Sequence, residues 1–340
     1  MWLNKRNSYL LNGLIDIYTS TRKPVSSKEL AQLSPLSESA IRKELQKLET
    51  YGFLYKPSAS AGRIPSNKGI KHYLKQLIDN LQTDHDIFDL PEIHNTDFNN
   101  ISDDFLSILS TNTGNIGFVF LNSLFDLNYR KVRLIKFGAH RVMTIIHSLN
   151  NWTFSKVFNT KENYNEKDLI KWENILNKEF KGKTLKNAFK RIKNRLYKEK
   201  EKYIKIYREL YFLLGTEELM TAEFFFKGTP KILDCGPVNP AKVKILLETL
   251  EEKEKLSQFL NDILNNNTKR TPIAAFGSDT GISDIEDFVL IFSNFYDTQY
   301  PIGNIGVIGP KFMPYHDTIS QVDRFSAYFS KILSKKSMEV

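Results

Sequence analysis

The chain reads as an α+β multidomain protein whose N-terminal part is a winged helix-turn-helix. Three observations carry that reading. A helix with a basic outer face is followed by a glycine stop and two brief β-type runs that flank a basic loop, Ser39 to Pro65. Residues 1–75 hold 13 Lys+Arg against 5 Asp+Glu, a net +8 of the whole chain's +9. Later runs rich in β-branched and aromatic residues come in two groups, separated by a Lys/Glu-rich helical stretch.

The first helix is expected over Tyr9 to Thr21, where Leu11, Leu14, Ile15 and Tyr18 recur at helical spacing. Pro24 ends it, because the residue before a proline is pushed out of the helical region. Ser26 or Ser27 caps a second helix whose Leu30, Ala31 and Leu33 should face inward. Ser34 to Ser37 is a turn of helix-turn-helix length.

Ser37 caps the third helix, and Ile41, Leu45 and Leu48 form its buried stripe at i, i+4, i+7. The opposite face carries Ser39, Lys43, Gln46 and Thr50, flanked by Arg42 and Lys47. Arg and Lys donate to guanine, Gln pairs adenine, and Ser or Thr contacts phosphate. Gly52 sits where a left-handed residue ends a helix. Phe53 to Tyr55 and Ile64 are the strands of a hairpin whose loop brings Lys56 and Arg63 to the same surface. The candidate DNA-binding set is therefore Ser37, Ser39, Arg42, Lys43, Gln46, Lys47, Thr50, Lys56 and Arg63. For Arg63 the structural alternative is packing against the third helix.

A helix over Lys68 to Leu81 leads out of this first domain, residues 1–82. Residues 83–100 are polar, acidic and without period, and are read as a linker. Asp84, His85, Asp86 and His94 lie there without a ligand-bearing helix, so no metal site is assigned. Strands are expected at 116–121, 131–138, 141–149 and 152–158, then at 271–277, 287–297 and 302–310, before a closing amphipathic helix at 316–333. The strand domain so defined, 101–158 and 222–340, is interrupted by helical material at 159–221. That insertion has helices at 167–180 and 184–214 and an apolar seam of Ala188, Ile192, Leu196, Tyr203, Ile206 and Leu210. Two helices cannot bury such a seam alone, which points to subunit pairing. Residues 161–210 also carry a net +8, read as a solvated outer face rather than a second DNA contact.

Enzyme signatures are missing from the sequence. There is no GxxxxGK[ST], HExxH or GxSxG, and the Gly303, Gly306, Gly309 spacing is not that of a dinucleotide loop. Packing glycines on a buried strand explain the three better. The one cysteine, Cys235, has no nearby histidine and is read as a small buried side chain. It excludes an internal disulfide and fits a reducing compartment. No run approaches the roughly 20 apolar residues of a membrane span. A cytoplasmic protein with no cofactor and no membrane partner is expected.

The span from Pro24 to Tyr73 resembles the N-terminal domain of the HrcA family. Pro24, Val25, Ser27, Ile41, Arg42, Leu48, Glu49, Gly52, Ser60 to Arg63 and Pro65 match its pattern, while Ser26, Ser39-Ala40 with Lys43, and Ser58 depart from it. Near the other end Gly303, Ile305 to Pro310, Met313 and Tyr315 match, and Phe312 stands where arginine is usual. The resemblance implies a GAF-like strand domain and a dimerising insertion. It implies a repressor of heat-shock (chaperone) genes that binds an inverted-repeat operator in double-stranded DNA as a homodimer, aided by the chaperonin GroEL. The alternative is a ligand-responsive winged-helix regulator whose GAF-like body binds a small metabolite.

Overall fold

The computed structural model describes residues 3–81, 98–123, 129–148, 153–180, 182–196, 222–234, 238–252, 254–266, 269–282, 285–297 and 300–336. It is a mixed α+β structure with antiparallel sheets.

The N-terminal head contains α1 (Lys5–Thr21), α2 (Ser27–Gln32), α3 (Glu38–Thr50), a hairpin of β1 (Leu54–Tyr55) and β2 (Ile64–Pro65), and α4 (Asn67–Asp79). The first helix begins four residues before the expected Tyr9. Asn4 caps it by accepting from the Asn7 N–H at 2.8 Å, and Asn7 and Leu10 are buried. Between the two candidate serines, Ser26 is the cap of α2. Its hydroxyl accepts from the Glu29 N–H while Glu29 accepts from the Ser26 N–H, a reciprocal box. The Ser26 hydroxyl also donates to the Glu29 carboxylate at 2.7 Å, and this bond, then that from the Ser26 N–H, holds the carboxyl below its ordinary range. Leu33 does not face inward as expected. The helix stops at Gln32, so Leu33 is its C-cap and stands 61% exposed.

The body begins with α5 (Phe98–Thr113), so the last three residues of the expected linker are helical. The rest of that segment, with Asp84, His85, Asp86 and His94, lies outside the described residues. Five antiparallel strands follow in the order β7-β3-β10-β9-β8, formed by β3 (Ile116–Leu121), β7 (Glu223–Lys227), β8 (Ile273–Phe276), β9 (Phe288–Asp297) and β10 (Tyr300–Pro310). β3 is buried along its whole length because both sheet faces are covered. Val119, Ile305 and Val307 face α5 and the closing helix α11 (Tyr315–Lys336); α8 to α10 cover Phe118, Phe120 and Phe292. These are α8 (Lys231–Asp234), α9 (Pro240–Glu252) and α10 (Glu254–Asn266). The strand at 223–227 and the helices at 240–266 were not expected. Close packing accounts for the glycine run: a Cβ at Gly306 would lie 2.3 Å from the Ile291 carbonyl oxygen. Cys235 lies outside the described residues.

The strands at 129–159 form a sheet of their own. Among the described residues β4 (Tyr129–Gly138), β5 (Arg141–Ser148) and β6 (Thr153–Asn159) pair only with one another, in a separate three-stranded sheet. A helix closes one edge of this sheet, at β4. The side chain of Asn177, on α6 (Glu166–Phe180), accepts from the Val132 N–H at 2.8 Å and donates to its carbonyl at 2.9 Å. A helix that closes this edge keeps the sheet from continuing. The second helix here, α7 (Leu185–Leu196), buries Ala188 of the expected seam. Tyr203, Ile206 and Leu210 lie outside the described residues.

Candidate nucleic-acid interface

The candidate surface is built on α3. Ser37 accepts from the Ala40 N–H at 3.4 Å and sets the start of the helix. Ile41, Leu45 and Leu48 are wholly buried. Fixing that stripe inward turns the other face out, and Ser39, Arg42, Lys43, Gln46, Lys47 and Thr50 are all exposed. Gly52, at φ 76°, reverses the chain into the hairpin. There Leu54 pairs with Pro65 and Tyr55 with Ile64. Val25 adds a third short segment, exchanging two 2.8 Å hydrogen bonds with Arg63.

A groove of 640 Å³ runs between α3 and the hairpin loop. Arg42, Gln46 and Thr50 line it from the helix, and Lys56, Ser60 and Arg63 from the hairpin. So five of the nine expected residues share one groove. Ser37, Ser39, Lys43 and Lys47 lie outside it, on the exposed surface.

The polar groups are held loosely, with one exception. Arg42 Nη2 donates to Glu38 Oε1 at 2.8 Å, and Lys47 Nζ to Glu44 Oε1 at 3.1 Å. Such exposed pairs contribute only about 0.2–1 kcal/mol, so a phosphate or a base edge can displace them. Glu38 also accepts from the Ser27 hydroxyl at 3.1 Å, which ties α2 to the start of α3. Ser37 and Ser39 hydroxyls share a 3.2 Å contact, and Thr50 donates to the Gln46 carbonyl at 3.0 Å. Lys43 and Lys56 make no ion pair among the described residues. The exception is Arg63, whose side chain is 9% exposed and whose Nε donates to Glu49 Oε2 at 3.1 Å. Glu49 belongs to the groove and was not among the expected residues. Its signal was only the Leu48-Glu49 pair of the resemblance. Among the described residues no cluster of His, Cys, Asp and Glu could hold a metal ion. No described helix is long and apolar enough to cross a membrane.

A small head with a basic helix and hairpin turned outward, packed on an α+β body, is the build of a transcription regulator. Residues 100–319 match the family described as HrcA protein C terminal domain, and the chain belongs to the HrcA family. The heat-inducible transcription repressor HrcA of Halalkalibacterium halodurans is 26% identical, over 98% of this chain and 98% of its own length. That of Geobacter sulfurreducens is also 26% identical, over 97% of this chain and 98% of its own. A crystal structure described only as a hypothetical protein shares the fold. Its TM-score is 0.60 at 20% identity, covering 98% of this chain and 99% of that one.

Proposed function

We propose that this protein is a heat-inducible repressor that reads duplex DNA with α3 in the major groove and the hairpin loop along the backbone. The observation that carries the reading is the exposed face of α3, where Arg42 and Gln46 share a groove with Lys56. In this reading residues 1–82 form a winged helix. The five-stranded sheet with its helices is the GAF-like body, and the three-stranded unit with α6 and α7 is a dimerising insertion. Two subunits present two α3 helices, which requires an inverted-repeat operator with half-sites a helical turn or more apart. By family resemblance the operator lies at chaperone genes and the chaperonin GroEL keeps the repressor active. Heat relieves repression by loosening the body.

Arg42 and Gln46 are assigned base edges; Lys43, Lys47 and Lys56 are assigned phosphates, with Ser37, Ser39 and Thr50 as hydroxyl contacts. A gel-shift titration against an inverted-repeat duplex at several salt concentrations tests this. Arg42→Ala or Gln46→Ala should cost about 1–3 kcal/mol of specific binding and relax the sequence preference. Lys43→Ala or Lys56→Ala should weaken all sequences alike and lower the salt slope by about one. Folded protein that ignores duplex DNA at low ionic strength would overturn the reading.

A further inference from the structure

The guanidinium of Arg42 is aimed by its neighbours. Its Nη2 donates to Glu38 Oε1 at 2.8 Å, one helical turn back towards the start of α3. The same oxygen accepts from the Ser27 hydroxyl at 3.1 Å. Ser27 is 9% exposed and opens α2, where the reciprocal box of Ser26 and Glu29 fixes the backbone. A buried hydroxyl of one helix thus anchors the carboxylate that holds an exposed arginine of the next, across the turn between them.

As a source of stability the pair is worth little, because both its members reach solvent. As a means of orientation it matters more. A free arginine side chain has many rotamers, and a contact that needs one of them loses affinity by that restriction. Glu38 imposes the restriction before any ligand arrives. It uses one N–H of the guanidinium fork, so adjacent donors remain for the O6 and N7 of a guanine without Glu38 being released. The direction fits as well. Pairing with Glu38 draws Arg42 towards the N-terminal end of α3, and that end of a recognition helix meets the base edges. Glu38 also complements the dipole of α3, but that role needs neither Ser27 nor Arg42.

We propose that Glu38, anchored by Ser27, is a positioning residue for Arg42. The chain from Ser27 through Glu38 to Arg42 sets the preference for guanine at one base pair, although neither Ser27 nor Glu38 touches DNA. The inference rests on the reading in which Arg42 meets a base edge.

Selection by the full chain from a library of randomised duplexes, then titration of the selected site and its single-base variants, tests it. Arg42→Ala first marks the base pair concerned, as the one where the preference for guanine is lost. Ser27→Ala and Glu38→Ala should each lower the preference at that pair by about three-fold or more and leave the other positions unchanged. Glu38→Gln keeps the acceptor oxygen and should lower it less. In an Arg42→Ala background neither alanine substitution should change any preference further. Circular dichroism and the melting temperature check the fold of each variant. An unchanged preference at the marked pair in both alanine variants overturns the proposal. So does a loss shared evenly by all positions, which would mean that Ser27 and Glu38 only hold the two helices together. If Arg42→Ala itself left every base preference intact, the assignment of Arg42 to a base edge would fail, and this inference with it.

Discussion

Arg63 shows how residue type and residue role part company. Its backbone N–H and carbonyl both pair with Val25, and its buried side chain donates to Glu49 on α3. To reach a phosphate it would leave the one carboxylate that neutralises it in a buried setting. We propose that it sits between helix and hairpin and holds the groove open for Lys56 and Gln46. Arg63→Ala is therefore expected to lower stability in urea by about 1–3 kcal/mol, through the lost charged hydrogen bond and packing. The salt slope of DNA binding should stay unchanged, whereas Lys56→Ala lowers it; equal slope changes would put Arg63 back on the DNA. Nothing in the local sequence separates Arg63 from Lys56, because the burial of Arg63 depends on a carboxylate fourteen residues earlier. Two histidines set a pH dependence at the same scale. Burial, then Lys75, pushes the His72 imidazole below its ordinary value of 6.5; burial, then Arg130, Lys131 and Arg133, does the same to His147. In that range the unfolded chain binds more protons than the folded one, so stability falls as pH drops below about 6.5. Urea midpoints at pH 7.5 and 5.5 should show the fall, and a double His72→Gln, His147→Gln variant should lose part of it.

Elements defined by local chemistry were legible in the sequence. The Ser37 cap, the Ile41, Leu45, Leu48 stripe and the Ile116–Leu121 strand lie where spacing and composition put them. Pairing was not legible. β4, β5 and β6 have the same β-branched character whichever sheet they join, and the edge of β4 is met by Asn177, 45 residues from Val132. The helix α9 was missed although Val243, Leu246 and Leu250 repeat at helical spacing. Gly69 shows packing overriding propensity within one element. It lies in the first turn of α4, its N–H donating to the capping Ser66 hydroxyl at 3.1 Å. Helix propensity alone says that Gly69→Ala should stabilise by about 1 kcal/mol. Yet the added Cβ would stand 2.3 Å from the Phe53 carbonyl oxygen, a backbone atom in the turn that leads to the hairpin. The clash wins, and Gly69→Ala should destabilise by about 1–3 kcal/mol in urea. A stabilised variant would show that α4 and the hairpin turn can move apart freely.

At the scale of the molecule, head and body share apolar packing. Leu10, Leu14 and Leu74 of the head fall in one contiguous core with Phe105, Val307 and Ile319 of the body. Tyr73 of α4 meets Tyr315 of α11 edge to face, with ring centroids 6.2 Å apart. Lys71 pairs with Asp279 and also lies over the Phe276 ring, 5.2 Å from its centroid. Such continuity was invisible to a reading that divided the chain at residue 82, because each stripe looks complete within its own helix. It bears on how heat could act, since a body that melts takes with it the surface against which α1 and α4 are packed. Tyr315 is the place to test this. It is fully buried, and its hydroxyl donates to the Lys311 carbonyl. Tyr315→Ala should remove about 3–5 kcal/mol of stability by emptying an aromatic-sized site. Hydrogen exchange then reads how far the loss spreads. If head and body unfold as one unit, amides of α1 and of β10 should lose protection by the same free energy. Protection lost in β10 and α11 but retained in α1 would show instead that the head folds by itself, and heat would then have to reach the α3 surface by a route other than this core.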